Sequence, residues 1–361
     1  MDAVKDYKCL CCGAPLIFDG SSNKLRCESC DSEFELEALN CFENAKNETK
    51  ESKYDWDNYV PRDYTEEEAV NLAEYSCSSC GAKITGDDSS GAAVCPYCGN
   101  STIVKEQFSG NLRPDYVIPF KTDKDGAIAI YEEVCSKLPF LPDEFRKKSI
   151  LNEMMGVYVP FWMFDCDCMA DIIYDAKRIH TWSDSDYNYT KTDFYKLIRS
   201  GSIGFANIPA DGSQKADDTF MEAIEPYDYS EAVDFNTAYL AGFFADKYDV
   251  SADECRPRAN ERVKNSTEAV FARTTEGYSG VLPEKSSVRF SGGKIRYALL
   301  PVWMLNIKYN NETYNYAING QTGKVAGKFP VCKKKRNKYF FKVFAITLAV
   351  IVVIMFLLGM F

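Results

Sequence analysis

Two cysteine modules with one spacing constrain the fold of this chain more than any other feature. Each module has two C-x2-C pairs with fourteen residues between the inner cysteines, and the second module lies 68 residues after the first. A two-residue gap lets a tight turn aim both thiolates at one ion, and Zn²⁺ takes four such ligands in a tetrahedron. The spacing predicts two zinc ribbons. The eight predicted ligands are Cys9, Cys12, Cys27 and Cys30 in ribbon 1, and Cys77, Cys80, Cys95 and Cys98 in ribbon 2.

Both predicted Zn²⁺ ions are structural, because four thiolates leave no open coordination position for chemistry. Glycine follows Cys12, Cys80 and Cys98, and it supplies the positive φ that such a turn needs. Disulfides, an iron–sulfur cluster and a redox pair are the alternatives. Ferredoxin spacings differ from two matched pairs, and a redox C-x-x-C needs no second pair. Cys11 adjoins Cys12 and could compete for the ion, but the 68-residue match favours Cys12.

The last segment of the sequence, 343–361, carries no charge and reads VFAITLAVIVVIMFLLGMF. As a helix it would be about 28 Å long, close to the ~30 Å of a bilayer core. Six basic residues precede it: Lys333, Lys334, Lys335, Arg336, Lys338 and Lys342. The positive-inside rule then predicts a tail-anchored, single-pass protein of the cell membrane, with its N-terminal bulk in the cytoplasm. A reducing cytoplasm would disfavour disulfides, and the start of the chain has no apolar run typical of a signal peptide.

Between the ribbons and this segment, the pattern alternates helices and strands and predicts an α+β domain. Helices are expected at 122–138 and 251–273, and one long or two consecutive strands at 156–178. The segment Val159–Asp165 is repeated at Leu300–Asn306 with a shift of 141. We therefore expect an internal duplication, with two related halves packed around the repeated tryptophans. The alternative is an aromatic ligand pocket at their junction.

The predicted organisation has six parts. They are zinc ribbon 1 at 1–40, a polar and acidic linker at 41–73, zinc ribbon 2 at 74–110, the α+β domain at 111–330, a basic juxtamembrane segment at 331–342 and a transmembrane helix at 343–361.

Catalytic signatures are weak in this sequence. The chain has one histidine, His180, which could pair with Cys135, Cys166 or Cys168, but no nucleophile motif surrounds any of them. The glycines lack the spacing of a phosphate-binding loop. We predict no catalytic residues and no enzymatic activity, and in particular no helicase or nucleotide hydrolase.

Acidic side chains offer a second possible site. Asp165, Asp167, Asp171 and Asp175 recur at even spacing, which would align them on one face of a strand. The cluster Ser183–Asp186 could contact a cation, but such a cluster between strands is more typical of a hairpin turn. We expect a solvated sheet face and a turn here.

Several further motifs resemble a known family. They are Tyr158–Trp162, Thr181–Tyr187, Glu225–Asp228, Arg258–Arg262 and Leu300–Trp303, together with the cysteine quartets. With these motifs the chain resembles membrane-anchored proteins, mainly of Gram-positive bacteria, that contain transcription-factor-IIB-type zinc ribbons. The likeness covers nearly the whole chain and implies architecture more than activity.

The predicted function is a membrane-tethered cytosolic scaffold whose zinc ribbons bind protein partners. One alternative is a ribbon that binds nucleic acid near the membrane. The net charge of -11 disfavours it, because phosphates repel an acidic surface. Another alternative is a ligand-binding or enzymatic α+β domain.

Overall fold

The computed structural model describes residues 7–10, 13–29, 32–46, 55–70, 72–87, 94–101, 103–107 and 112–357. The strands are β1 Ile17–Asp19, β2 Lys24–Arg26, β3 Glu33–Phe34, β4 Leu72–Cys77, β5 Lys83–Asp87, β6 Ile103–Gln107, β7 Tyr116–Val117, β8 Met155–Ser183, β9 Asn188–Asp211, β10 Val233–Asp234, β11 Phe244–Asp246, β12 Ser279–Tyr309, β13 Glu312–Asn319 and β14 Val325–Gly327. The α-helices are α1 Leu36–Lys46, α2 Glu66–Ala69, α3 Lys124–Ser136, α4 Lys148–Leu151, α5 Asp218–Ala223, α6 Ala252–Ala272 and α7 Lys333–Leu357.

The chain divides into two compact units, each assembled from three segments. Unit 1 comprises Met1–Tyr59, Met163–Pro209 and Arg256–Ile295, and unit 2 comprises Val60–Trp162, Ala210–Cys255 and Arg296–Phe361. Helices and large sheets together make this an α+β protein, as the sequence predicts.

The strands of unit 2 form a mixed sheet in the order β10-β7-β12-β8-β11-β5-β4-β6, and β13 and β14 extend from β12. Two of the neighbouring pairs are parallel, β7 with β12 and β11 with β8. The pairs β10–β7, β11–β5, β4–β5 and β4–β6 are antiparallel. The three strands β4, β5 and β6, which come before, within and after the second cysteine module, thus continue this sheet at one end.

Helix α3 covers part of the core of unit 2. Its N-cap, Asp123, accepts a hydrogen bond from the Gly126 N–H at 2.8 Å. Its buried residues Ala127, Tyr131 and Cys135 recur every four positions, so they line one face of the helix. That face packs in one apolar cluster with side chains of β12 and β13.

The repeated tryptophans lie in matching hydrogen-bond patterns. Around Trp303, the indole N–H donates to the Thr122 carbonyl at 3.0 Å. The Gly320 N–H donates to the Pro301 carbonyl, and the Gly320 carbonyl accepts from the N–H groups of Lys121 and Thr122.

Around Trp162, the indole N–H donates to the Val250 carbonyl at 2.9 Å. The Gly212 N–H donates to the Pro160 carbonyl, and the Gly212 carbonyl accepts from the N–H groups of Asp249 and Val250. Every bond has its counterpart in the other half, whereas an origin by duplication stays a prediction. Both indoles are buried, so they belong to the core and do not line an open aromatic pocket.

Unit 1 contains the small sheet β1-β2-β3 and the pairing of β9 with β8. Helix α6 packs on one face of β8, where Cys168 Sγ lies 3.5 Å from Thr267 Oγ1 and the Tyr174 hydroxyl donates to the Glu268 carbonyl. We call residues 179–196, the far end of the β8–β9 hairpin, the arm. Every residue from Ile179 to Lys191 in it is exposed.

Two strands differ from the sequence-based expectation. The sequence predicts separate strands at 288–290 and 294–309, but β12 is continuous through Gly292, whose φ of +62° only the absence of a side chain makes easy. Strand β9 was not expected, because its exposed half is rich in Asn, Thr, Lys and Asp and lacks an apolar period. The predicted helices at 122–138 and 251–273 correspond to α3 and α6.

The predicted transmembrane helix at 343–361 is not supported. Helix α7, Lys333–Leu357, begins at the basic cluster, and residues 358–361 of the predicted span lie outside the described residues. Across the residues that the structure describes, no helix has the length and apolar character needed to cross a membrane. The membrane as a partner, the tail anchor and the single-pass cell-membrane location with a cytoplasmic bulk are therefore corrected. The argument that a reducing cytoplasm disfavours disulfides in this chain therefore no longer applies.

Candidate metal centre

The first half of the centre is the turn between β4 and β5. The Gly81 N–H donates to the Cys77 carbonyl at 2.8 Å, and the Cys77 N–H donates to the Ala82 carbonyl at 2.9 Å. These two bonds fold Cys77–Ala82 into a knuckle with both thiols on its inner side. Gly81 has φ of +73°, which explains why glycine follows the second cysteine.

The second half repeats this geometry at Cys95–Asn100. The Gly99 N–H donates to the Cys95 carbonyl at 2.9 Å, and the Cys95 N–H donates to the Asn100 carbonyl at 2.8 Å. Gly99 has φ of +65°. The same local sequence thus folds into the same turn, and the two turns face each other.

The two knuckles bring the thiols of Cys77, Cys80, Cys95 and Cys98 within 4.8 Å of one another, and this group can hold a metal ion. The Sγ atoms of Cys77 and Cys98 are 3.8 Å apart, and those of Cys80 and Cys95 are 3.7 Å apart. Four sulfurs at ~2.3 Å from one ion would be about 3.8 Å apart, so the geometry fits tetrahedral Zn²⁺. The same distances are far from the ~2.05 Å of a disulfide.

Protonation of these thiols is tied to metal binding. Burial raises the pKa of Cys77, but backbone N–H groups of Cys80 and Ser79 donate to its sulfur and bring the pKa down to about 7. Burial raises the pKa of Cys80 and of Cys95 above the usual thiol value. Because metals bind thiolates, an ion entering this site displaces protons.

A buried hydrogen-bond network joins the second knuckle to β11. The Tyr97 hydroxyl donates to Asp246 Oδ2 at 2.5 Å, and the Ser213 hydroxyl donates to the same oxygen at 2.6 Å. Burial raises the pKa of Asp246 to about 7, although the two hydroxyls oppose the shift. Burial, then the nearby Asp246, raises the pKa of Tyr97 well above its usual value.

The second knuckle also rests on β12. Asn306 Nδ2 donates to the Pro96 carbonyl at 2.6 Å. A Cβ atom at Gly99 would lie 3.2 Å from the Asn306 Cβ, so the close approach favours glycine there for a second reason. The four cysteines are therefore held by β4, by β12 and by β11.

The first module is described only in part, because Cys11, Cys12 and Cys30 lie outside the described residues. Its two described ligands, Cys9 and Cys27, have the same backbone bonds as the second module. The Gly13 N–H donates to the Cys9 carbonyl, the Cys9 N–H to the Ala14 carbonyl and the Cys27 N–H to the Ser32 carbonyl. Zinc binding by Cys9, Cys12, Cys27 and Cys30 stays a prediction.

The structure does not assemble a Cys–His pair from the described residues. His180 is exposed in the arm, and its Nε2 lies 3.9 Å from Asp193 Oδ2. Cys135, Cys166 and Cys168 are buried, and burial raises the pKa of each thiol, to about 12 for Cys166. These thiols are not primed as nucleophiles.

Three of the four aspartates in the row on β8 have protein partners, and Asp171 is buried, so the expectation of a fully solvated face is wrong there. Asp165 accepts from the Asn207 N–H, and Asp175 pairs with Lys196. Asp171 accepts from the Ser200 hydroxyl and pairs with Arg289 at 2.7 Å. Asp184 accepts backbone N–H groups within the Ser183–Asp186 turn, which is a hairpin turn as expected.

Sequence reasoning missed the residues that support the centre. Asp246, Ser213 and Asn306 are far from the cysteines in the chain, and nothing in their local sequence indicates contact with a knuckle. Tyr97 offers the one usable signal, since an aromatic residue with a hydroxyl inside a C-x2-C turn needs a partner when buried.

Comparison with known proteins gives one full-length likeness. The chain is 32% identical over 337 residues to a Bacillus subtilis (strain 168) protein named "Uncharacterized protein YdjG", and the match covers 93% of each chain. No family model matches the chain, and no solved structure matches it.

Proposed function

This chain belongs to the family of the Bacillus subtilis protein YdjG, and we propose that it is a zinc-dependent protein-interaction module without catalytic activity. Its transcription-factor-IIB-type ribbons hold structural Zn²⁺ and give a rigid surface to a protein partner.

The observation that carries this proposal is the closed four-cysteine cluster. All four positions of a tetrahedral ion are taken by Cys77, Cys80, Cys95 and Cys98. A catalytic zinc site keeps one position for water or substrate. The metal therefore has a structural role, and the strands that carry its ligands become a fixed surface.

A second structural ion belongs to the first module. Both knuckle bonds at Cys9, and one of the two at Cys27, match those at Cys77 and Cys95. The same turn, followed by the same cysteine spacing, supports the same ligand chemistry at Cys12 and Cys30. The chain then binds two Zn²⁺ ions.

Metal analysis of the purified full chain tests the metal part. We expect close to two zinc ions per chain, about one in Cys77→Ser/Cys80→Ser and about one in Cys9→Ser/Cys27→Ser. A Cys166→Ser variant is the matched control, because it removes a buried thiol outside both modules. Less than one ion in the unaltered chain would sink the proposal.

In-cell crosslinking tests the interaction part. Complexes are captured after nuclease treatment and compared between the unaltered chain and Cys77→Ser/Cys80→Ser. Specific proteins that disappear in the variant support the proposed surface. Recovery that depends entirely on nuclease-sensitive material would favour nucleic-acid binding instead, which the net charge of -11 opposes.

A cavity beside the first knuckle supports a second candidate, binding of a small charged ligand. The cavity has a volume of about 360 Å³ and is lined by residues that include Lys83, Lys215 and Lys247 and the carboxylates Glu74 and Asp249. Glu74 pairs with Lys247 at 2.7 Å, and both are largely buried. A small anion such as inorganic phosphate that raises the Tm of the unaltered chain, but not of Lys215→Ala, would favour this candidate.

A further inference from the structure

The arm exposes apolar side chains on both of its faces. Trp182 and Tyr189 stack with ring centroids 5.4 Å apart, and Trp182 is 53% exposed. Phe194 is 81% exposed, and Ile179 is also exposed. Side chains that alternate along β8 and β9 point to opposite faces, so both faces are exposed over residues 179–191 of the arm, whereas Tyr195 packs against Tyr278.

Such an arrangement is costly for an isolated hairpin. Two strands alone are marginally stable in water, and a third strand or a packed face is normally needed. Within the part of the chain that the structure describes, β9 pairs with β8 alone. Its other edge offers a row of backbone groups to a further strand.

The hairpin turn indicates which backbone groups point outward. The Asp184 N–H donates to the Tyr187 carbonyl at 3.0 Å, so these two residues form a hydrogen-bonded pair. Antiparallel pairing alternates bonded and non-bonded positions. In the part of the arm that belongs to β9, the backbone N–H and C=O groups of odd-numbered residues therefore point toward β8. The N–H and C=O groups of Thr190, Thr192 and Phe194 point away from it.

We propose that the occupant of this edge is a second copy of the chain, whose β9 pairs antiparallel with the first β9 about a two-fold axis through Thr192. A two-fold contact brings the same patch of both copies together, so the sequence must complement itself in reverse. The arm then becomes the centre of a four-stranded sheet.

The charges of Lys191 and Asp193 favour a two-fold axis through Thr192. With this register, Lys191 lies opposite Asp193 of the second copy, and Asp193 lies opposite the second Lys191. Within one copy, Lys191 Nζ is already 3.1 Å from Asp193 Oδ1, so the pairing joins two ion pairs into a four-charge array. A centre at Lys191 or at Asp193 would instead place like charges opposite each other, which is destabilising.

The remaining pairs in this register are also complementary. Tyr189 lies opposite Tyr195 of the second copy, and Thr190 lies opposite Phe194 of the second copy. Aromatic pairs and pairs of an aromatic with a β-branched residue stabilise neighbouring strands. The ring of Phe194, which is 81% exposed in one copy, is then partly covered by Thr190 of the second copy.

Sedimentation velocity of the full chain over a hundredfold concentration range tests the proposal. We expect a reversible dimer. Lys191→Asp or Asp193→Lys alone should raise the dimer dissociation constant about tenfold or more, because each places like charges opposite each other twice. The double variant Lys191→Asp/Asp193→Lys should restore the dimer. Lys147→Asp, the same charge change at an exposed site outside the arm, should have no effect.

Two results would overturn the proposal. One is a monomer at every concentration, and the other is a dimer whose dissociation constant is the same in the single and double variants. If a single variant loses the circular-dichroism spectrum of the unaltered chain, Thr192→Pro takes its place. It removes an outward N–H and leaves the bonds to β8 intact, and it must weaken the dimer for the proposal to stand.

Discussion

The two tryptophan-centred halves of unit 2 share their backbone bonds and differ in what surrounds them. In the sheet order, β7 and β11 are equivalent strands, each parallel to a long strand that carries a buried tryptophan. The outer neighbour of β7 is β10, which has two residues, whereas the outer neighbour of β11 is β5 of the metal-binding ribbon.

Equivalent positions in the two halves also carry different residues. Asp246 on β11 corresponds to Ile118 after β7, since each lies four residues before the carbonyl that accepts from the tryptophan. Asn306 on β12 corresponds to Asp165 on β8, three residues after each tryptophan. Asp246 belongs to the Trp162 half and Asn306 to the Trp303 half, and both contact the second knuckle. The shared pattern builds the core, and the departures from it attach the metal ribbon to one end.

Removal of the metal should have the largest effect and should separate the two ends of the sheet. A chelator, or Cys77→Ser/Cys80→Ser, should lower the free energy of unfolding of the ribbon end by about 5 kcal/mol or more, because structural zinc contributes folding free energy directly. Hydrogen exchange should accelerate in β5 and β11 and change little in β7. Equal acceleration in β7 and β11 would contradict the comparison.

Truncation of either tryptophan should have the next largest effect, and it should be similar in both halves. Trp162→Ala and Trp303→Ala each remove a buried indole and should lower the free energy of unfolding by about 3–5 kcal/mol in urea titrations. The matched controls Trp162→Phe and Trp303→Phe keep an aromatic ring and should cost less. A cost below about 1 kcal/mol for one alanine variant would show that its half is not part of the shared core.

Asp246 should make the ribbon end sensitive to pH. Its pKa is raised in the folded state to about 7 from an ordinary value of 3.8, so folding favours the protonated form. Its contribution to stability is present below about pH 4 and is lost as the pH rises to about 7. Asp246→Asn should remove this loss, worth on the order of 4 kcal/mol.

Urea titrations of the unaltered chain and of Asp246→Asn from pH 5 to pH 8 check this prediction. The quantity to compare is the difference between their unfolding midpoints at each pH. The unaltered chain should lose stability relative to Asp246→Asn across this range. Ile118→Val at the equivalent position serves as the control, because it should lower the urea midpoint by the same amount at every pH. A constant difference between the unaltered chain and Asp246→Asn would refute the assignment.

Exchange of Asn306 for aspartate, the residue at the equivalent position 165, should have the smallest effect on stability. Asn306→Asp removes the N–H donor to the Pro96 carbonyl and places a carboxylate beside it, at a cost of about 1–2 kcal/mol. The reciprocal change, Asp165→Asn, removes a charged acceptor from the Asn207 N–H and should cost about as much as a single hydrogen bond. Thermal unfolding of the zinc-loaded chain measures both. A stabilising Asn306→Asp would exclude the contact with the knuckle.

The sequence predicted the parts of the structure that depend on local residues. The cysteine spacing and the glycines after Cys80 and Cys98 specify both knuckles, because each turn is closed by bonds within six residues. The capping signal at Ser251 and the apolar stripe through Ala259 and Val263 identify α6. The repeated tryptophan motif was visible as well.

Distant contacts could not be read from the sequence. The bonds from Asp246 to Tyr97 and from Asn306 to Pro96 join residues 149 and 210 positions apart, and no local pattern reports such pairs. Strand β9 was missed because both faces of the arm are exposed, so its residues lack the alternation that burial imposes. The transmembrane prediction rested on the apolar composition of 343–361 and on the basic residues before it, which report composition and not the helix that forms.

The pairing of β7 with the distant strand β12 also governs the order in which this chain can fold during its synthesis. The first half contributes β7, yet the tryptophan that bonds to Thr122 is 181 residues further along the chain. The corresponding bond from Trp162 to Val250 spans 88 residues. A nascent chain on the ribosome can therefore place β11 beside β8 long before β7 can pair with β12. Contacts of such long sequence separation make folding slow, and the pairing of β7 with β12 cannot form until β12 has been translated.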